Sequence, residues 1–76
     1  MTEINLDLRG LKCPLPALKT RKALDAAAPG SVLLVSCTDP LAAIDLPNLV
    51  RETGDEFLSR READGYAVFA IRRGRR

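Results

Sequence analysis

Twice in this chain an apolar segment runs into a residue–proline pair that opens a helix. Ile4 to Leu8 leads to Cys13-Pro14, and Val32 to Val35 leads to Asp39-Pro40. Proline suits the first helical position, because its fixed φ matches the helix and its missing N–H would have had no partner there. The residue before it, Cys13 or Asp39, is then expected as the N-cap. A strand, a helix and a second strand in this order form a parallel pair joined by a right-handed crossover, with the carboxyl ends of both strands on one edge. That arrangement brings Cys13 beside Cys37-Thr38-Asp39-Pro40, at the strand ends where α/β sheets carry their ligand and reaction sites.

The remaining elements follow from periodicity. Ile4, Leu6 and Leu8 alternate with Asn5, Asp7 and Arg9, which predicts a strand with one buried and one wet face. Ala17, Thr20, Leu24 and Ala27, with Leu18 beside them, give the first helix an apolar stripe that stops at Pro29-Gly30. Val32 to Val35 is apolar without alternation, as in a central strand. The second helix carries Leu41, Ile44, Leu49 and Val50, is expected to kink or break at Pro47, and closes at Gly54. Phe57 to Glu62 and Tyr66 to Arg72 flank Ala63-Asp64-Gly65, and an Asp-Gly between two such segments predicts a hairpin with Ala67, Phe69 and Ile71 facing the helices. The fold class is a two-layer α/β sandwich, βαβαββ, with a mixed four-stranded sheet and both helices on one face. Residues 1–72 form the single domain, and 73–76 read as a basic, disordered tail.

Composition narrows the chemistry. A chain of 76 residues has no room for a second domain or a deep substrate cavity. With no histidine and two cysteines, neither a zinc site of the usual ligands nor a Cys-His nucleophile is available, and the scattered glycines make no phosphate cradle. No cofactor or metal is expected. No apolar run reaches membrane-spanning length and the N-terminus shows no signal-peptide pattern, so a cytoplasmic location and free thiols are the expectation. Basic residues exceed acidic ones by 12 to 10, with much of the excess in the tail, so direct nucleic-acid binding is not expected.

Cys13 is the candidate reactive group. At a helix start beside Lys12, with Arg9 and Lys19 as further cations, a thiolate is favoured, although Pro14 and Pro16 remove two N–H donors and limit the effect to a modest lowering of the pKa. The prolines instead restrict the backbone on both sides of Leu15 and aim the sulfur. Leu15, off the buried stripe, is either an exposed apolar contact or local loop packing. Cys37, at the end of an apolar run, is expected as a buried filler rather than a resolving thiol.

The segment Leu6-Asp7-Leu8-Arg9-Gly10-Leu11-Lys12-Cys13-Pro14-Leu15-Pro16, the Lys19 to Leu24 helix, Pro29-Gly30, Thr38-Asp39-Pro40, Asp45-Leu46-Pro47 and the closing hairpin together resemble the TusA-like (SirA-like) sulfur-carrier proteins over essentially the whole chain. The resemblance implies a βαβαββ fold and a sulfur shuttle, in which Cys13 accepts sulfane sulfur as a persulfide from a cysteine desulfurase or rhodanese and passes it to an acceptor protein. Roles in the family include tRNA thiolation, molybdenum cofactor synthesis and sulfur oxidation, and the motif is common to them. Asp55 departs from the family, many members of which carry histidine there. The alternative is a non-catalytic regulatory or nucleic-acid-binding module that uses the open sheet face and the arginine tail.

Overall fold

The computed structural model describes residues 3–74. Among them the elements run β1 (Glu3–Leu8), α1 (Leu15–Ala26), β2 (Val32–Cys37), α2 (Ala42–Thr53), β3 (Glu56–Ala63) and β4 (Tyr66–Arg72). The sheet order is β1-β2-β4-β3, with β1 parallel to β2 and the other pairs antiparallel. This is the expected mixed four-stranded α/β sandwich.

The apolar run of β2 has the central place its composition calls for. It bonds β1 on one side and β4 on the other, and Leu33, Val35 and Cys37 point into the core. Phe69 and Ile71 of β4 meet them there, together with Leu24 of α1 and Leu46, Leu49 and Val50 of α2. At about 25 cal/mol per Å2 of apolar surface, each fully buried leucine-sized side chain contributes about 1.5–3 kcal/mol. The hairpin turns at Asp64-Gly65, with Ala63 opposite Tyr66 and Gly65 at φ 79°, a conformation that favours glycine.

The helices depart from expectation in three ways. Leu18, Leu41 and Ile44, assigned to buried stripes, are 58%, 50% and 60% exposed. Thr20, Leu24 and Ala27 of the expected stripe are buried, as are Leu49 and Val50 of α2, but the first turns differ: Pro16 faces the core in α1, and Ala42 and Leu46 take the places expected of Leu41 and Ile44 in α2. Pro47 does not break α2, which continues from Ala42 to Thr53. The proline forgoes one intrahelical bond to Ala43, while Leu46 and Leu49 on either side of it anchor the helix in the core. Gly54 closes α2 as expected, at φ 81° with its N–H donated to the Val50 carbonyl at 3.1 Å.

The basic end is tied to the domain sooner than its composition suggests. The Arg73 N–H donates to Ser31 O at 2.8 Å and its carbonyl accepts from Gly30 N–H at 2.9 Å. Its buried guanidinium donates through Nε to Leu24 O at 2.8 Å. Gly74 N–H reaches Asp55 Oδ1 at 2.7 Å. Of the expected tail at 73–76, these two residues are therefore held by the fold, and 75–76 lie outside the described residues.

Candidate functional site

Parallel pairing brings Leu8 opposite Cys37, so the loops after β1 and β2 leave the sheet side by side. The first hangs from the second by two hydrogen bonds. Gly10 N–H donates to Thr38 Oγ1 at 2.8 Å, and Cys13 N–H donates to Asp39 Oδ2 at 2.6 Å. Gly10 turns the chain at φ 86°. The Leu11 N–H to Leu8 O and Leu15 N–H to Lys12 O bonds, at 3.2 and 2.9 Å, complete the turn, and the Cys13-Pro14 peptide is cis.

Both expected caps are displaced. Helix α1 begins at Leu15, with Pro14 in the N-cap place and Pro16 buried in the first turn, so Cys13 lies one residue outside the helix. Helix α1 carries no side-chain cap hydrogen bond, and the thiol is turned to α2 instead. Helix α2 begins at Ala42, and Asp39 lies outside it as well. Its carboxylate instead accepts from Leu41 N–H through Oδ1, at 3.0 Å, and from Cys13 N–H through Oδ2. Those two N–H groups, Leu41 first, hold its pKa below the usual carboxylate value. Asp39 is thus the clamp between the two loops, a role that capping alone did not suggest.

The sulfur of Cys13 is exposed and faces α2, where its thiol donates to Asp45 Oδ2 at 2.9 Å. That bond, then partial desolvation and the negative charges of Asp45 and Asp39, raises the thiol pKa. The expected lowering is overturned, since the charges that act on the sulfur are those of the carboxylates Asp45 and Asp39. Arg9 is engaged elsewhere. Its Nε and Nη2 bind Asp7 at 2.8 and 2.9 Å and its guanidinium lies 5.1 Å from the Tyr66 ring centroid. That pairing holds the Asp7 pKa to about 2. Lys12 lines the same hollow as Cys13 and Asp39, whereas Lys19 is an exposed residue of α1.

Two open grooves meet at Cys13. One runs over Lys12, Asp39 and Leu41, and the other between α1 and α2, past Leu18, Arg21, Asn48 and Glu52. Exposed Leu15, Leu18, Leu41 and Ile44 stand on these two helix starts. Cys37 is 2% exposed, and burial, followed by the charge of Asp39, pushes its pKa up to about 11. Among the described residues no cluster of side chains suits a metal ion. Asp45 was missed as a site residue because nothing in a helical carboxylate announces a partner 32 positions away. The Asp45-Leu46-Pro47 segment was its only trace in the sequence.

The family model described as Sulfurtransferase TusA matches residues 4–73. The chain belongs to the TusA family. Within it, the chain is 40% identical over 68 residues to a sulfur carrier protein TusA of Allochromatium vinosum, covering 90% of each. It is 35% identical over 71 residues to the sulfur carrier protein TusA of Pseudomonas entomophila, covering 93% of this chain and 89% of the relative. A Neisseria meningitidis relative is 41% identical over 71 residues, covering 93% of this chain and 96% of its own length.

Proposed function

We propose that this protein is a sulfur carrier whose Cys13 takes sulfane sulfur as a persulfide and hands it to a partner protein. The observation that carries the reading is the contrast between the two thiols. Cys13 is exposed where two grooves meet, on a turn clamped by Asp39 and Thr38, whereas Cys37 is sealed in the core. The grooves are open and shallow, which suits a macromolecular partner whose own cysteine approaches from outside. The family match favours this reading over a regulatory or nucleic-acid-binding module.

Uptake is an exchange between sulfurs. The Cys13 sulfur attacks the outer sulfur of a donor persulfide, a new S–S bond forms, the donor's S–S bond breaks, and its electron pair leaves on the donor's inner sulfur. Delivery repeats the exchange with an acceptor's thiol. The donor is a protein of the cysteine desulfurase or rhodanese kind, and Leu15, Leu18, Leu41 and Ile44 give both partners an apolar contact around the sulfur. Lys12 adds charge beside the sulfur and exposed Lys19 adds charge to α1, and Pro14 and Pro16 fix the sulfur's direction. A reducing compartment such as the cytoplasm suits the two free thiols. No helix among the described residues is long and apolar enough to cross a membrane.

Incubating the reduced protein with a cysteine desulfurase and cysteine, or with inorganic polysulfide, is expected to add one sulfur atom by mass spectrometry. Cys37→Ser should retain the adduct and Cys13→Ser should lose it. The reverse pattern would remove Cys13 from the role.

A further inference from the structure

We propose that Asp45 is the proton acceptor for Cys13 during sulfur uptake. The inference rests on the carrier reading above and deepens it. A thiol that donates a hydrogen bond to a carboxylate holds its proton at neutral pH, so little free thiolate is present to attack. Uptake through the thiolate alone would be slow, and a base already in contact with the thiol removes that obstacle.

The surroundings leave few candidates for the base. The protein has no histidine. From its own loop Cys13 is faced by Lys12, a cation. The β2–α2 loop offers Asp39, whose two carboxylate oxygens already accept the Leu41 and Cys13 N–H groups. Across the groove, α1 contributes Arg21, and α2 contributes Glu52 and Asp45. Asp45 Oδ2 is the charged atom recorded in hydrogen-bond contact with the sulfur, at 2.9 Å. That is the separation a general base needs.

The step balances without any further reagent. As Sγ bonds to the outer sulfur of the donor persulfide, its proton passes to Asp45 Oδ2. The donor's S–S bond breaks, its inner sulfur keeps the electron pair, and Asp45 returns the proton to that sulfur. Cys13 is oxidised as the donor sulfur is reduced, and Asp45 ends as it began.

The test compares uptake from inorganic polysulfide with alkylation by iodoacetamide, in wild type, Asp45→Asn and Cys13→Ser, between pH 6 and 8. Alkylation reports the thiolate alone. Asp45→Asn should alkylate several-fold faster at pH 7, because the charge that keeps the proton on sulfur is gone. It should take up sulfur about tenfold more slowly, since losing a general base typically costs about 100-fold or more and the added thiolate recovers only part of it. The ratio of variant to wild-type uptake should climb with pH by up to about tenfold per unit, as thiolate becomes the sole route. Uptake that rises with alkylation, or stays unchanged, in Asp45→Asn overturns the proposal while leaving Cys13 as carrier. Uptake that persists in Cys13→Ser overturns the carrier reading and this one with it. Should Asp45→Asn fail to fold, wild type decides. Its alkylation rate climbs through this range, as does sulfur uptake by a free thiol, so an uptake rate whose ratio to that of the free thiol falls as pH rises supports Asp45, whereas a ratio that stays level refutes it.

Discussion

Cys13 and Cys37 stand near the ends of neighbouring loops and strands, yet their surroundings push both thiols toward the protonated state for different reasons. For Cys37 the first cause is burial, which carries the pKa to about 11. A folded pKa above the unfolded one means that the native state binds the proton more tightly. This contribution to stability is complete below the ordinary thiol value near about 9 and is lost as pH rises toward 11. The denaturation midpoint should therefore fall between those two pH values, and fall less in Cys37→Ala once its lower starting stability is allowed for. A titration series in urea checks this, and an equal decline in both proteins would show that other groups dominate. The reactive cysteine was legible in the sequence, because a Cys-Pro-x-Pro turn after a strand is a local pattern. Its proton state was not, since Asp45 reaches it through tertiary packing alone.

Among the elements, the two crossover loops depend on each other. Asp39→Ala removes the acceptor for both Cys13 N–H and Leu41 N–H and is expected to lower stability, modestly because both bonds are exposed. It should also slow sulfur uptake by freeing the turn, while Thr38 still holds Gly10. Measuring both quantities separates the effects. A variant that loses stability but takes up sulfur at the wild-type rate would show that the clamp serves only the fold. The central place of β2 and the hairpin were readable from unbroken and alternating apolar runs and from Asp64-Gly65, because a sheet position leaves its mark on residues close in sequence, whereas the place of β4 beside β2 was not. The helix faces were read less well. Leu18, Leu41 and Ile44 have the hydrophobicity of core residues, and periodicity alone does not tell a stripe that meets the sheet from one that lines an open groove. Pro47 misled for a related reason, since tertiary contacts on either side of it outweigh one missing bond.

For the whole molecule, Arg73 acts as a seam between the end of β4, the turn before β2 and the last turn of α1. Arg73→Ala is expected to cost about 1.5–3 kcal/mol, the worth of a hydrogen bond from a charged donor to a buried acceptor. Truncation after Ile71 should cost more, because the backbone bonds to Ser31 and Gly30 go as well. Thermal melts of both proteins beside one truncated after Gly74 would check this, and a truncation after Ile71 that melts with wild type would contradict it. A composition rich in arginine concealed this seam, because charge reads as solvation until a carbonyl such as that of Leu24 is seen waiting for it. The burial of Cys37 also has a practical use. With no tryptophan and one tyrosine, the chain is nearly silent to fluorescence. It nevertheless carries one thiol open to solvent and one buried at the end of a central strand. The number of labels each molecule acquires in a pulse of alkylating reagent long enough to saturate Cys13 therefore counts folded and unfolded chains directly, one label for the first and two for the second, even in a mixture with other proteins.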